Sequence, residues 1–213
     1  TRINGSSSPL VLPIMDDLNI LMERGDDFVR IRNLRLTETS EANLMIKLGE
    51  GDDHLDIDRA FMTGFLSVLC NSSMEDNDYI KMYDTTADFA DIETQDRSEV
   101  VLIYNEFGLF LDTGKSGADD VTLVGNRFGY FIEIDLSDAN DDILFYGNRV
   151  KPSYWNGVRL HGGHDEAEVW MEWYHFEFVT PWPVRVFAGT GFDVITLKGS
   201  GNVEPYDFDV VFD

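Results

Sequence analysis

A short acidic turn followed by a strand-like apolar stretch recurs along most of this chain. Its clearest copy runs from Gly117 to Val124 and reads GADDVTLV. When the second acidic residue is taken as the marker, successive copies are 21 to 26 residues apart. The markers are Asp27, Asp53, Asp78, Glu99, Asp120, Asp142, Glu168 and Asp193. A period of this length is typical of stacked repeats, so we predict an all-β fold, a right-handed parallel β-solenoid of about eight coils.

The residues after each marker alternate as in a β-strand, in which successive side chains point to opposite faces. We predict that the residues two and four positions after each marker face the core. The first set is Val29, Leu55, Ile80, Val101, Thr122, Leu144, Trp170 and Ile195. The second set is Ile31, Ile57, Met82, Ile103, Val124, Tyr146, Glu172 and Leu197.

In the central coils the other strand positions are apolar as well. They are Val100 with Leu102, Val121 with Leu123, and Ile143 with Phe145. A sheet that is apolar on both faces needs a cover, because a large exposed apolar patch is unusual in a soluble monomer. We expect this cover to be either a second copy of the chain or a flanking segment, such as residues 1–24 or the insertions after Lys151.

Asparagines recur six positions after several markers. They are Asn33, Asn105, Asn126 and Asn148. Stacked side-chain amides hydrogen-bond along a stack and satisfy bends that would otherwise bury unpaired polar groups. We therefore predict an asparagine ladder with a structural role.

The chain divides into a capping segment and one solenoid domain. Residues 1–24 are predicted to cap the stack, as solenoids require, and residues 25–213 form the solenoid. Inserted loops are expected around residues 150–185, and in repeat proteins such insertions map to one face, often the binding face. Because the chain begins at Thr1 without a signal-peptide pattern, we expect a processed chain or a piece of a longer one.

The charge of the chain limits its partners. Forty Asp and Glu residues face 16 Lys and Arg, for a formal net charge of −24. This balance disfavours nucleic acid and anionic membrane surfaces, both of which attract cationic proteins. It favours divalent cations, a basic partner or a salty exterior. The lone Cys70 excludes an internal disulfide framework, and no apolar run approaches the length of a membrane span.

We predict that the eight markers stack in one column, and two roles are open for these acidic turns. Each carboxylate can accept backbone N–H bonds in its own turn, or cations can lie between coils, since clustered oxygens suit Ca²⁺. Paired acidic residues favour the second role, because a turn needs only one capping carboxylate. The candidate metal ligands are Asp52, Asp53, Asp119, Asp120, Asp141 and Asp142.

The turn from Gly49 to Leu55 reads GEGDDHL and is echoed from Gly189 to Ile195. It resembles the glycine- and aspartate-rich repeats of the repeat-in-toxin family, and more closely the long repeat arrays of bacterial cell-surface proteins. The resemblance covers about residues 25–200 and implies a secreted or cell-surface solenoid. The calcium-binding repeats of that family place their glycine turns in tandem, whereas this chain has one acidic turn per coil. Tandem calcium sites are therefore not implied.

An enzymatic alternative arises because parallel β-helices often host polysaccharide hydrolases and lyases. Hydrolysis needs two carboxylates that face one groove at roughly 5–10 Å. The candidates are Asp112, Glu133 and Asp135. His161, His164 and His175 could form a metal trio, but we interpret them as ordinary loop histidines. The sequence has no nucleophile elbow, phosphate loop or zinc-ligand spacing.

Aromatic residues cluster between positions 154 and 182, a segment that includes every Trp of the chain. They form either the bulky core of wider coils or an exposed platform for a sugar or a protein, since exposed rings offer large stacking surfaces. The binding candidates are Tyr154, Trp155, Trp173 and Trp182.

These features together favour a non-enzymatic structural or adhesive module, secreted or on the cell surface, with Ca²⁺ as the cofactor if cations stabilise the stack. The alternative function is that of a carbohydrate-active enzyme or a carbohydrate-binding module. The partners that we expect are a polysaccharide, a cell-surface protein, or a second copy of the chain bound through the central coils.

Overall fold

The computed structural model describes residues 17–37, 41–70, 76–95, 97–114, 117–129, 131–150, 157–160, 162–163, 165–172, 184–200 and 208–212. Every regular element in these residues is a β-strand, which confirms the all-β fold class. None of the described residues belongs to a helix long and apolar enough to cross a membrane.

The strands follow one another closely along the chain. They are β1 (Leu18–Leu21), β2 (Phe28–Arg32), β3 (Arg35–Leu36), β4 (Leu44–Lys47), β5 (His54–Asp58), β6 (Phe61–Met62), β7 (Phe65–Leu69), β8 (Asp78–Tyr83), β9 (Thr86–Glu93), β10 (Ser98–Ile103), β11 (Glu106–Asp112), β12 (Asp120–Val124), β13 (Arg127–Phe128), β14 (Ile132–Asp135), β15 (Asp142–Val150), β16 (Gly157–Arg159), β17 (Gly162–Gly163), β18 (Glu166–Glu172), β19 (Val184–Gly191), β20 (Val194–Ser200) and β21 (Phe208–Phe212).

All pairings among the described strands are parallel. Apart from β17, which pairs only with the end of β19, the strands lie in three stacks. Sheet 1 contains β2, β5, β8, β10, β12, β15, β18 and β20, each paired with the next. Sheet 2 is narrow and contains β3, β6, the starts of β9 and β11, β13 and the end of β15. Sheet 3 contains β1, β4, β7, the remainder of β9 and β11, β14, β16, β19 and β21. Because the chain visits the sheets in turn and comes back one strand higher, the fold is a parallel β-solenoid, as predicted.

The core lies between the sheets and is built from columns of similar side chains. Leu55 of sheet 1 and Ile46 of sheet 3 are fully buried, as are their neighbours one coil above. Sheet 2 contributes larger side chains, and the rings of Phe107 and Phe128 lie 6.3 Å apart. Each coil therefore buries apolar area mainly against the coils above and below it.

The register of sheet 1 differs from the prediction at β10 and again at β18. Asp78 pairs with Ser98, and Glu99 pairs with Tyr79. The markers Asp53 and Asp78 therefore lie in one column, whereas Glu99, Asp120 and Asp142 lie in the next one. Glu168 is displaced by two residues, because it pairs with Leu144. The markers occupy successive coils, but the prediction of a single marker column is wrong.

This one-residue shift reverses the predicted faces of the central strands, since side chains alternate with a period of two. The side chains of Val100, Leu102, Val121, Leu123, Ile143 and Phe145 are buried in the core. The residues predicted to face inward there point outward instead, and they are Val101, Ile103, Thr122, Val124, Leu144 and Tyr146. In β2, β5 and β8 the predicted inward sets are buried. The larger apolar side chains set the register of the strands, and the position of the acidic residue before each strand is a consequence.

The turn between sheets 1 and 2 uses one residue with positive φ in each coil. Gly125 and Gly147 occupy this place in the central coils, with φ of 64° and 60°. Asn33 occupies it in the first coil with φ of 53°, which explains why Asn33 does not belong to the asparagine ladder. Gly and Asn adopt this conformation at low cost. Arg59, Asp84 and Tyr104 occupy the same place in the intervening coils, with φ of 58°, 51° and 56°, so residue type alone does not mark the turn.

Part of the predicted capping segment belongs to the stack. Strand β1 lies within residues 1–24 and pairs with β4, so that Leu18 lies opposite Leu44. Residues 1–16 and the inserted segments 151–156 and 173–183 lie outside the described residues.

The register makes a prediction that two neighbouring residues test. Leu123→Ala is expected to lower the free energy of unfolding by about 2–5 kcal/mol, because it opens a cavity in the core. Val124→Ala, one residue further and on the outer face, should cost less than about 1 kcal/mol. Urea denaturation followed by circular dichroism measures both. The opposite order of costs would mean that the acidic markers set the register.

Candidate functional site

A column of buried carboxylates runs along the edge of sheet 1, directly before its strands. Each member is at most 9% exposed. The pairing of the residues that follow places the members in successive coils, with Ser98 in the equivalent place between Asp78 and Asp119. We call this column the aspartate ladder, and its members are Asp27, Asp53, Asp78, Asp119, Asp141 and Asp165.

Each step from Asp27 to Asp78 and from Ser98 to Asp165 is a hydrogen bond from a backbone N–H to a carboxylate of the next coil, whereas Asp78 donates its N–H to the carbonyl of Arg97. The N–H of Asp53 donates to Oδ1 of Asp78 at 3.1 Å, and the N–H of Asp119 donates to Oδ1 of Asp141 at 2.8 Å. Ser98 donates both its N–H and its hydroxyl to Oδ1 of Asp119, at 2.8 and 2.9 Å. The carboxylates therefore cap backbone groups, as one of the two predicted roles requires. They cap the neighbouring coil, however, and not their own turn.

The second carboxylate oxygen has a different environment. Oδ2 of Asp53, Asp119 and Asp141 is buried and has no hydrogen-bond partner among the described residues. Burying an ionised group without full hydrogen bonding costs several kcal/mol or more, so such a group tends to take its neutral form. In these three residues one carboxylate oxygen caps a backbone N–H group, and the other is buried without a hydrogen bond.

Burial raises the pKa values of four members of the ladder. It raises the pKa of Asp53 and of Asp119 to about 6, and that of Asp78 and of Asp141 to about 7, from 3.8. Hydrogen bonds from the backbone of the preceding coil, and for Asp119 also the hydroxyl groups of Thr113 and Ser98, lower these pKa values, but by less than burial raises them. The Cys70 thiol lies beside Asp78, and burial raises the pKa of this thiol well above its ordinary value. Burial therefore brings the pKa values of these four carboxyl groups close to neutral pH.

The predicted asparagine ladder is present for three of its four members. The side-chain amide of Asn126 donates to Oδ1 of Asn148 at 2.9 Å and to the carbonyl of Leu102 at 2.8 Å. Asn105 bonds to Asn126 in the same way, at 3.0 Å. These side chains are at most 2% exposed. Their donors and acceptors are used along the stack, which fits the structural role predicted for them.

The candidate metal ligands fall into two groups. Asp53, Asp119 and Asp141 belong to the buried ladder, whereas Asp52, Asp120 and Asp142 are exposed. Oδ1 of Asp52 accepts the N–H of Asn77 at 2.8 Å. In the part of the chain that the structure describes, no three His, Cys, Asp or Glu side chains are grouped to hold a metal ion.

The candidate catalytic carboxylates lie on the outer face of sheet 3. Asp112 pairs in register with Asp135, and Glu133 pairs with Phe110. Arg159 of the next coil forms ion pairs with both Glu133 and Asp135. Oδ1 of Asp112 accepts the N–H of Gly114 at 2.8 Å. The structure thus brings the three residues together, with two of them bound to an arginine.

The predicted aromatic platform lies outside the described residues. Its members are Tyr154, Trp155, Trp173 and Trp182. His161, His164 and His175 also lie outside the described residues. These candidates remain predictions from the sequence.

The outer face of sheet 1 in the central coils carries residues that the sequence pattern predicts to lie in the core. Its first positions are acidic and form what we call the acidic row, namely Glu99, Asp120, Asp142 and Glu166. Beside it lie what we call the apolar rows, namely Val101, Thr122 and Leu144, then Ile103, Val124 and Tyr146. The signal for this face was in the sequence, because Thr122 and Tyr146 fit an outer face better than a core.

A shallow groove of about 380 Å³ opens at the end of the apolar rows. Tyr104 and Tyr146 form its walls, and they are 59% and 47% exposed. Gly125 and Gly147 lie at its floor, and a Cβ atom on Gly125 would come within 2.5 Å of the Tyr104 ring. The Tyr104 ring can therefore occupy this position only because residue 125 is glycine and has no side chain.

Comparison with known proteins gives no relative from which a function could be transferred. No family model, no curated protein and no solved structure matches this chain.

The aspartate ladder predicts that the fold is more stable in mild acid than at neutral pH. In the unfolded chain these groups regain a pKa near 3.8, so between about pH 4 and pH 7 the folded chain binds more protons. The free energy of unfolding should therefore decrease as the pH rises through this range. Urea denaturation at a series of pH values measures the slope.

Two adjacent substitutions separate this effect from the general charge of the chain. Asp141→Asn removes a buried titrating group and should make the slope shallower, whereas Asp142→Asn removes an exposed charge and should change it little. Equal slopes for wild type and Asp141→Asn would contradict a role of the ladder in the pH dependence.

Proposed function

We propose that this solenoid is a non-enzymatic structural or adhesive module of a secreted or cell-surface protein. The observation that carries the proposal is the alignment of like side chains on the outer face of sheet 1, where successive coils repeat the same chemistry. Stacked coils are roughly 4.8 Å apart, so each row presents closely spaced copies of one group. Repeated groups bind weakly one at a time and strongly together, which suits adhesion.

The interior of the stack supports a structural role. The aspartate and asparagine ladders bond each central coil to the next, for example through Asp119 and Asn126. Core columns such as Leu102 with Leu123 add apolar contact along the same axis. Repeat arrays whose neighbouring units bind each other in this way are extended scaffolds with long surfaces.

The location is proposed on two grounds. The turn at Gly49 to Leu55 resembles the repeats of secreted and cell-surface arrays, and the net charge of −24 suits a protein that meets cations outside the cell. Both grounds come from the sequence.

Cation stabilisation is part of the proposal and concerns the exposed carboxylates. Asp120 and Asp142 are paired in register on adjacent coils and repel each other, by about 1 kcal/mol for unit charges 4 Å apart in water. Ca²⁺ binds carboxylate oxygens from several side chains, and a cation between coils would offset this repulsion.

The cation prediction is tested by thermal unfolding at neutral pH. Millimolar CaCl₂ is expected to raise Tm relative to excess EDTA at matched ionic strength, and Asp120→Asn with Asp142→Asn should reduce the difference. Equal Tm values in calcium and in EDTA would show that the carboxylates act only through turn chemistry.

A second candidate function is carbohydrate binding, which the Tyr104–Tyr146 groove favours. Exposed tyrosine rings stack against the apolar face of a sugar and offer hydroxyl groups for hydrogen bonds. A carbohydrate-active enzyme would instead use Asp112, Glu133 or Asp135.

One experiment separates the adhesive module from the enzyme. Beads coated with the protein are passed over surfaces that carry polysaccharides or basic polypeptides, and reducing ends are measured after incubation with the same polysaccharides. We expect retained beads and no release of reducing ends. Release that is abolished by Asp112→Ala or Asp135→Ala would overturn the proposal in favour of the enzyme, and loss of polysaccharide retention in Tyr104→Ala alone would favour the carbohydrate-binding function.

A further inference from the structure

The outer face of sheet 1 changes its chemistry along the stack. In the first coils the outward positions carry charges of both signs, which pair with each other. Arg30 of β2 bonds to Asp56 of β5 at 2.8 Å, and Arg32 lies 3.9 Å from Asp58. This part of the face balances its own charge.

The acidic row of the central coils has no such balance. Its four carboxylates are exposed and follow one another in register from β10 to β18. Among the described residues, no Lys, Arg or His side chain forms an ion pair with Glu99, Asp120, Asp142 or Glu166. The next outward positions on the same strands are Val101, Thr122 and Leu144, so these three strands supply no cation there. Lys81 of β8 lies in register with Val101, one coil before the row begins.

An apolar surface lies directly beside this row. Val101, Leu144, Ile103 and Val124 are half-buried, and Tyr146 is 47% exposed. A partner that covers these side chains gains roughly 25 cal/mol for each Å² of apolar surface removed from water. The face therefore combines a strip that attracts cations with a strip that attracts apolar groups.

We propose that this face binds a cationic amphipathic α-helix of a partner protein. The helix lies along the stack axis, with lysine or arginine side chains on the acidic row and its apolar stripe on the apolar rows. This inference rests on the proposed adhesive function and names the class of partner that the adhesive face recognises.

The spacing of the rows favours a helix over an extended strand. Carboxylates of the acidic row repeat roughly every 4.8 Å, the distance between coils. One turn of an α-helix rises about 5.4 Å, whereas same-face side chains of a strand repeat every 6.6–6.8 Å or so. Over the four coils of the row, a helix of about ten residues stays nearly in step with the carboxylates.

The charge of the chain favours such a partner over a second copy. A copy bound face to face would also carry a net charge of −24 and its own acidic row. Like charges brought together at an interface cost several kcal/mol, whereas a basic partner gains from complementarity and from faster encounter. The cationic helix is therefore the occupant that fits both strips.

The test measures the binding of a labelled model helix by fluorescence anisotropy. The probe is a peptide of about 18 residues, made of lysine and leucine with the leucines on one face. The control peptide has the same composition in scrambled order. We expect the probe to bind at least about tenfold more tightly than the control peptide, and to weaken about tenfold when NaCl rises from about 50 to about 500 mM.

Matched variants place the binding on this face. Asp120→Asn with Asp142→Asn should weaken binding about fivefold or more, while the exposed pair Asp88→Asn with Glu93→Gln on sheet 3 should change it less than about twofold. Val101→Thr, which preserves side-chain shape, should weaken binding about twofold to fivefold. Thermal unfolding of each variant confirms that it is folded.

Three results would overturn the inference. The first is equal binding of the probe and the scrambled peptide, or equal weakening by the two acidic pairs, because attraction would then be diffuse. The second is a wild-type dimer in sedimentation that Leu144→Ser dissociates, because the face would then bind a second copy. The third is no binding of the probe while coated beads still adhere to polysaccharide, which would refute this partner and leave the adhesive function standing.

Discussion

Parallel stacking in register is the constraint on which the rest of this structure depends. Every position of a coil becomes a column, and each column needs a side chain that tolerates its own copy as a neighbour. Apolar columns meet this condition by packing, as Leu102 does on Leu123. A buried polar column meets it only if the side chain bonds to the adjacent coil. Asp119 and Asn126 do so, since the N–H of each is held at 2.8 Å by the next side chain of its column.

Much of the fold could be predicted from the sequence, because the period and the alternation of apolar residues are properties of the coil itself. The class of fold, the stacking of successive coils and three members of the asparagine ladder follow from them. The register did not follow, because two adjacent acidic residues, such as Asp119 and Asp120, offer two frames one residue apart. Core size decides between these frames: Val121 and Leu123 fill the interior in one, while Thr122 and Val124 would fill it in the other. The same ambiguity affected the prediction of the candidate sites, because a register shift of one residue exchanges the buried aspartate ladder for the exposed acidic row.

The two internal ladders share a geometry and differ in chemistry. An asparagine amide has both donors and acceptors, so Asn126 satisfies the coils on both sides and remains neutral at any pH. An ionised aspartate can only accept, and Oδ2 of Asp141 finds no donor among the described residues. Protonation removes its charge, which is why burial raises the pKa of Asp141 to about 7. The stabilisation from the asparagine ladder is therefore independent of pH, whereas the stabilisation from the aspartate ladder is predicted to depend on pH.

The same register aligns like charges on the outer face, where they stay in contact with water, unlike the buried side chains of the ladders. A column of like charges is tolerated inside only when it becomes neutral, as burial allows for Asp141. Outside, Asp142 stays in contact with water and lies in register with Asp120. The apolar packing of the core outweighs the repulsion between Asp142 and Asp120. Salt or a cationic partner would reduce this repulsion. One residue along the chain thus separates a buried carboxyl group with a raised pKa from an exposed carboxylate that contacts water, and the alternation of a single β-strand is enough to place the two groups in these different environments.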